Sequence, residues 1–293
     1  MARSFSNPAA FRQALERRLK TAAEERNVPL NTLRLKFLIE RLLARLFARP
    51  NPPWLLKGGY ALELRYRPHA RTTKDIDLSV AADEHTTDLK SRLERIRDEL
   101  QTAADIDLGD YLVFRIATPR TELLGAPQGG ARFPVEALMA GRVFGSFHID
   151  VGIGDALHGV PELLRGEDLL AFADITPAQA LAIPKAQQFA EKIHAYTYPW
   201  TGRQNTRTRD LVDLLLLLER QPPAPEDTRA SLAATFMARG THPVPEILQE
   251  PPADWVTEFA EMAAAAQLMT DSLRGAFQQL SAYWNAQRFA GAE

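Results

Sequence analysis

The sequence contains no cysteine among its 293 residues. This absence excludes disulfides, thiolate zinc sites and a cysteine nucleophile, and it is typical of proteins in a reducing compartment. The chain also lacks an apolar run long enough to span a bilayer, and its arginine-bearing N-terminus lacks the apolar core of a signal peptide. We therefore expect a cytoplasmic protein that does not associate with membranes.

A large excess of one charge is also missing, since 35 Lys and Arg face 37 Asp and Glu. No overall charge therefore indicates nucleic acid. The basic residues are nevertheless concentrated near the N-terminus, where Pro8 to Arg26 and Leu30 to Ala48 have the apolar spacing of two helices. Their basic side chains either face RNA or form the solvated sides of these helices. They are Arg12, Arg17, Arg18, Lys20, Arg26, Arg34, Lys36, Arg41, Arg45 and Arg49.

A pair of glycines marks the stretch around which the chain is organised. Leu55 and Leu56 end a short apolar run, Gly58 and Gly59 break it, and Tyr60 to Tyr66 has helical spacing. The pattern predicts a strand, a glycine turn and a helix. Glycines allow backbone N–H groups to approach phosphates closely, and the following helix adds its dipole.

Two carboxylates follow on a predicted strand. The segment Asp75 to Val80 alternates with period two, which places Asp75 and Asp77 on one face. A loop containing Arg71 precedes it. Paired carboxylates hold Mg²⁺ in phosphoryl and nucleotidyl transfer. The alternative is an edge strand with a solvated acidic face, although the glycine turn and basic loop favour the site.

A third acid is expected at Asp150. The stretch from Val143 to Ile153 alternates so that His148 and Asp150 share a face. A carboxylate among apolar residues needs a metal or partner, whereas a lone histidine on a strand is more often a structural hydrogen-bonding residue. The remaining predictions for this part are a helix at residues 83–103, strands at 111–117 and 132–139, and a hairpin turn at 140–142.

Beyond Pro161 the pattern predicts helices alone, with a boundary near Gly159. Residues 178–196 and 206–220 are predicted to form a helical hairpin. Lys185 and Lys192 lie two turns apart on one face, so Lys192 either neutralises nucleotide phosphates or joins surface ion pairs.

The tetrapeptide of the first acid pair occurs twice. Asp105-Ile106-Asp107-Leu108 repeats Asp75-Ile76-Asp77-Leu78 letter for letter. The second copy follows two alanines and runs into Gly109, which predicts a helix-to-strand connection. We expect its carboxylates to be solvated.

Taken in order, these motifs resemble the AbiEii/AbiGii toxin family of nucleotidyltransferases, relatives of the MenT toxins in the DNA polymerase beta-like superfamily. No single motif is specific, but the ordered set is. The set comprises Gly58-Gly59 with Ala61-Leu62, Arg71, Thr73, Asp75 to Leu78, Ile149 to Gly152, Glu191-Lys192 and Arg209 to Leu214.

The resemblance implies an α+β fold, in which a mixed sheet flanked by helices forms a nucleotidyltransferase core and a helical domain follows. We assign residues 1–50 to N-terminal helices, 51–159 to the core and 160–293 to the helical domain. It implies that Asp75, Asp77 and Asp150 hold two Mg²⁺ ions.

The resemblance also implies that Lys192 and Asp210 contribute to catalysis and to the nucleotide site, to which we further assign Gly58, Gly59 and Arg71. Much of the superfamily has Gly-Ser where this chain has Gly58-Gly59, so a hydroxyl contact to phosphate is missing.

The function implied is that of a toxin in a toxin-antitoxin system. An acceptor hydroxyl would attack the α-phosphorus of a nucleoside triphosphate and release pyrophosphate. The expected acceptor is RNA, in particular the tRNA 3′ end, and the expected partner is a cognate antitoxin. Three alternatives are an antibiotic-type nucleotidyltransferase for small molecules, a binding protein that has lost catalysis, and a purely structural protein.

Overall fold

The computed structural model describes residues 5, 7–82, 88–119, 121–123, 125–287 and 289. The chain forms two compact units that interleave along the sequence. The sheet unit comprises Met1–Leu56, Thr72–Gly154 and Leu163–Ala182. The helical unit comprises Lys57–Arg71, Asp155–Glu162 and Ile183–Glu293. Neither unit coincides with one of the three predicted segments, and the division into 1–50, 51–159 and 160–293 stays a prediction.

A mixed sheet of eight strands runs through the described residues in the order β3-β5-β6-β2-β1-β8-β7, with β4 paired to β5. The β2–β6 and β1–β8 pairs are parallel, whereas β5 is antiparallel to β3, β4 and β6. The strands are β1 (Trp54–Lys57), β2 (Asp75–Val80), β3 (Leu112–Ile116), β4 (Thr121–Glu122), β5 (Gly130–Met139), β6 (Arg142–Ile153), β7 (Glu162–Arg165) and β8 (Gln179–Ala182).

The helices divide between the two units. Those of the sheet unit are α1 (Pro8–Glu25), α2 (Leu30–Leu46) and α4 (Leu89–Ala104). Those of the helical unit are α3 (Gly58–Tyr66), α5 (Lys185–Thr197), α6 (Thr208–Arg220), α7 (Pro225–Arg239), α8 (Val256–Ala266) and α9 (Leu273–Gln287). The predicted α+β class, with a mixed sheet and C-terminal helices, is confirmed.

Local chemistry explains several of these boundaries. Asn7 caps α1 by accepting a hydrogen bond from the Ala10 N–H at 2.9 Å, and Pro8 occupies the first turn, where its missing N–H costs nothing. Asp88 caps α4 in the same way through Ser91. The predicted start of that helix at residues 83–87 lies outside the described residues. Ala140 and Gly141 both have positive φ, which is the geometry of a tight hairpin turn.

The prediction that strands end at Pro161 is wrong. Two short strands, β7 and β8, join the sheet, and β8 takes the start of the predicted helix at 178–196. The physical reason is Pro184, because a proline disfavours helical backbone at the preceding residue. It is tolerated where a helix begins, and α5 starts directly after it at Lys185.

The basic N-terminal helices use many of their charges internally. Arg41 and Arg45 are buried and both bind Asp110, which is itself fully buried. Arg34 binds Glu16 at 2.5 Å. The sequence predicted that these arginines face RNA or form the solvated sides of the helices. Neither prediction describes Arg41 and Arg45, because both are buried. No helix in the described part of the chain is long and apolar enough to cross a membrane.

Candidate active site

The first acid pair lies on β2, in the middle of the sheet. Ile76 and Leu78 are fully buried on one face, and the alternation of the strand places Asp75 and Asp77 on the other, where they are partly exposed. The predicted strand and the shared face are both confirmed.

The parallel partner of β2 brings the third acid to the same face. Asp77 pairs in register with Asp150 of β6, and Asp75 pairs with His148. Neighbouring strands lie about 4.8 Å apart, and side chains in register point to the same side. Asp75, Asp77 and Asp150 therefore share one face, and we call them the acid face.

An arginine that the sequence did not single out occupies this face. Arg132 lies opposite Asp150 on β5, and its Nε and Nη2 donate to the two Asp150 oxygens at 2.7 and 2.6 Å. The same guanidinium lies 3.7 Å from an Asp75 oxygen. Hydrogen bonding to Asp150, together with the charges of the three acids, outweighs burial and raises the pKa of Arg132.

His148 is close to the acid face without binding it. Its Nδ1 lies 3.7 Å from an Asp75 oxygen, which is too long for a hydrogen bond. That this histidine is a weaker candidate than Asp150 stays a prediction.

The acids match Mg²⁺ in donor chemistry, because carboxylate oxygens are the hard ligands that it prefers. Asp75 and Asp77 with Asp150 supply such oxygens from adjacent strands. Within the described residues, no group of three or more histidine, aspartate or glutamate side chains is arranged as a ready metal cluster.

The glycine pair forms the first two residues of α3, whereas the sequence predicted a glycine turn and a helix that begins at Tyr60. Gly58 has a φ of +64°, a conformation that glycine adopts without steric cost. Its carbonyl oxygen accepts a hydrogen bond from Gln188 Nε2 of α5 at 2.7 Å. The turn is thereby fixed within the helical unit.

Three of the predicted nucleotide-site residues meet in the helical unit. Arg71 donates to both oxygens of Asp213 at 3.1 and 3.0 Å. Lys192 Nζ binds Asp213 at 2.6 Å and Asp210 at 3.1 Å. Burial raises the pKa of Asp213, but the charges of Lys192 and Arg71 outweigh it and the pKa is lowered. Burial in turn lowers the pKa of Lys192, but Asp213 and Asp210 outweigh it and the pKa is raised.

Lys192 is therefore not a mobile surface cation. Its side chain is only 8% exposed and is held by two carboxylates. Lys185, at the start of the same helix, instead reaches Gln221 in an exposed contact at 3.0 Å. Ion pairing on these helices is real but buried, because Asp213 lies on the core side of α6.

A second buried charge cluster, which includes the residue directly before the glycine pair, was not predicted. Lys57 and Arg239 both bind the buried carboxylate of Asp155. Glu191 lies nearby, and burial raises its pKa against the opposing charge of Lys57. Asp155 and Arg239 lie far from Lys57 in sequence, so no spacing rule could have joined them.

The two predicted site groups fall in different units. The acid face belongs to the sheet unit, whereas Gly58, Gly59, Arg71, Lys192 and Asp210 belong to the helical unit. The second tetrapeptide copy contributes to neither group. Asp105 ends α4, Asp107 accepts a hydrogen bond from the Gly109 N–H at 2.9 Å, and both side chains are exposed, as predicted.

Comparison with known proteins identifies the family. A family model described as nucleotidyl transferase AbiEii toxin, Type IV TA system, matches residues 41–290. Among solved structures, MenT4, a nucleotidyltransferase toxin from Mycobacterium tuberculosis H37Rv, matches with a TM-score of 0.55 and 17% identity over 95% of this chain and 88% of that one. A comparison with curated proteins finds no significant sequence match.

The MenT4 likeness shows a shared fold, since its identity is low, whereas the family match covers most of the chain. The protein thus belongs to the AbiEii family of nucleotidyltransferase toxins of type IV toxin-antitoxin systems.

Proposed function

We propose that this toxin transfers a nucleotide from a nucleoside triphosphate to an RNA hydroxyl, with the tRNA 3′ end as acceptor, and thereby blocks translation in the cytoplasm. The observation that carries the proposal is the register of β2 and β6, which aligns Asp77 with Asp150 beside Asp75. Three carboxylates on one sheet face suit a reaction in which metal and phosphate charges must be balanced.

The acids take distinct roles in this reaction. Asp75 and Asp77, together with Asp150, would hold two Mg²⁺ ions, which supply charge neutralisation for the triphosphate and the attacking oxygen when bound. Asp150 would accept the proton of the acceptor hydroxyl as that oxygen forms its bond to the α-phosphorus. The bond to pyrophosphate breaks in the same step, and pyrophosphate leaves.

The helical unit supplies the nucleotide contacts in this proposal. Backbone N–H groups at Gly58 and Gly59 would approach the phosphates, since no side-chain hydroxyl is present there. Lys192 and Arg71 would contribute positive charge, and Asp210 would orient Lys192, to which it is hydrogen-bonded. Asp213 would keep both cations in place, because it binds each of them.

A cognate antitoxin is the expected partner, as the type IV description of the family implies. The family description does not require that the two proteins bind directly. Growth arrest on expression, relieved by co-expression of a neighbouring gene product, would support this pairing. Growth arrest that no neighbouring product relieves would count against it.

Incubation of the protein with each labelled nucleoside triphosphate, Mg²⁺ and total RNA tests the activity. We expect one labelled RNA band the size of tRNA, which disappears when EDTA is added. Label on a small acceptor instead of RNA would favour the small-molecule alternative. Nucleotide binding without any transfer would favour a protein that has lost catalysis.

A further inference from the structure

We propose that Arg132 is the internal counter-cation of the acid face, and that a divalent cation has to displace it from Asp150. The proposal rests on the assignment of Asp75, Asp77 and Asp150 as the metal-binding acids. It gives Arg132 a role that the proposed function does not assign. It also describes how a divalent cation reaches Asp150.

The contact between Arg132 and Asp150 engages the whole carboxylate. Nε and Nη2 donate one hydrogen bond to each oxygen, at 2.7 and 2.6 Å. Such two-pronged pairs are the strongest that arginine forms with a carboxylate. A cation that approaches Asp150 therefore meets an oxygen pair already shared with a positive charge.

The fold places Arg132 there through an irregularity in one hairpin. At the turn, Met139 pairs with Arg142 and Leu138 with Val143. A register shift between Ala137 and Leu138 then moves every later pair by one residue, so that Arg132 faces Asp150. Bulges of this kind re-aim side chains near functional sites.

The charges of the acid face also require a cation. Three carboxylates on adjacent strands repel one another, and Arg132 hydrogen-bonds Asp150 and also lies 3.7 Å from Asp75. Removal of that charge without a replacement leaves a like-charge cluster. A divalent cation supplies the charge that Arg132 gives up, so the two are alternatives at Asp150.

The arginine is exposed enough to leave. Its side chain is 40% exposed, whereas Arg45, which binds the fully buried Asp110, is 1% exposed. A partly exposed guanidinium regains water when it moves away, which offsets part of the loss of the ion pair. Exchange at Asp150 is therefore feasible, whereas exchange at Asp110 is not.

Direct binding of Mn²⁺ to the full-length protein tests the proposal without nucleotide or RNA. Mn²⁺ affinity is measured by paramagnetic resonance and calorimetry at low ionic strength. We expect Arg132→Gln to bind Mn²⁺ about tenfold more tightly than the natural protein, which corresponds to about 1.4 kcal/mol. Its melting temperature should fall in EDTA and should rise with Mn²⁺ by more than that of the natural protein.

Two further variants separate the effect from simple loss of charge or fold. Arg132→Lys keeps the positive charge but not the paired donors, so its Mn²⁺ affinity should lie between those of the natural protein and Arg132→Gln. Arg115→Gln is the matched control, because Arg115 lies in the same sheet but faces Glu136 at 3.7 Å in an exposed pair. Its Mn²⁺ affinity should equal that of the natural protein.

The outcomes distinguish this proposal from the proposed function. In one outcome, the natural protein binds Mn²⁺, and folded Arg132→Gln and Arg132→Lys bind it with equal or lower affinity. That outcome would overturn the role of Arg132 and leave the metal site intact. No Mn²⁺ binding by any of these proteins would overturn both. If Arg132→Gln does not fold, Arg132→Lys decides alone, because it also has to bind more tightly than the natural protein.

Discussion

The two copies of Asp-Ile-Asp-Leu have the same four side chains but occupy different structural environments. The first forms β2, where Ile76 and Leu78 are buried and both acids share a face with Asp150. The second follows α4, where Asp105 and Asp107 are exposed and make only local contacts. A carboxylate pair becomes a candidate site only where a neighbouring strand adds further charge in register.

A further aspartate, two positions after the second copy, sharpens this lesson. Asp110 lies three positions beyond Asp107, yet it is fully buried between Arg41 and Arg45. Burial raises its pKa, but the hydrogen bonds and charges of the two arginines outweigh burial and lower it. A carboxylate whose charge is fully matched inside the protein has a structural role, whereas an acid face with excess charge remains available to a ligand.

The largest effect on stability is therefore expected at Asp110. Asp110→Ala leaves two buried guanidinium groups without their carboxylate, and we expect it to lower the free energy of unfolding by about 3–5 kcal/mol. Urea unfolding followed by circular dichroism measures this. Asp107→Ala, its exposed neighbour, should change the same quantity by less than about 0.5 kcal/mol. Similar values for the two variants would contradict the division between matched and solvated acids.

A smaller effect is expected at Lys192, whose charge is matched by Asp210 and Asp213 and which also has a proposed catalytic role. Lys192→Ala should slow nucleotide transfer by at least about tenfold, equivalent to ~1.4 kcal/mol of transition-state stabilisation. Single-turnover assays with saturating RNA measure this. Lys185→Ala is the control on the same helix, because the Lys185 side chain donates to Gln221 in an exposed hydrogen bond.

The melting temperature of both lysine variants has to be measured alongside transfer. Lys192→Ala should remain folded, since Arg71 still binds Asp213. If both variants lose equally little transfer activity, Lys192 has a purely structural role.

A third effect concerns pH and a buried histidine in the helical unit. Burial, with the charges of Arg239 and His242, lowers the pKa of His194 to about 3. The unfolded chain binds a proton near pH 6.5 whereas the folded protein does not, so stability is full above that pH and declines as pH falls towards 3. Between pH 7 and pH 5 we expect a loss of about 1–2 kcal/mol from this group.

Urea unfolding at the two pH values tests this expectation. His194→Gln should lose less stability between pH 7 and pH 5 than the natural protein does. His158→Gln, which replaces a partly exposed histidine, should retain the full difference. The same pH dependence in all three proteins would show that His194 is not the group responsible.

Much of the sheet unit could be predicted because its patterns are local. Alternation in Asp75–Val80 and Arg142–Ile153 defined two central strands and the face of each acid. In the helical unit, the glycine pair and helical spacing defined α3. Strands β7 and β8 were not predicted, because each has only four residues, which is the lower limit for a periodic signal.

The residues that the sequence could not reveal are those that depend on distant pairing. Continuing the hairpin register from Met139 and Arg142 would place Arg132 opposite Ile149, and only the shift near Ala137 moves it to Asp150. Asp213 lay within a recognised motif, but its contacts with Arg71 and Lys192 join three segments of the chain. Periodicity cannot supply such contacts.

The most direct test of the central claim compares the two tetrapeptide copies in one assay. Nucleotide transfer to RNA and thermal melting are measured for Asp75→Ala with Asp77→Ala and for Asp105→Ala with Asp107→Ala. The account predicts that the first pair abolishes transfer in a folded protein, because the metal supplies several kcal/mol of transition-state stabilisation, and that the second leaves transfer and melting nearly unchanged. Loss of transfer in the second pair with retention in the first would contradict it.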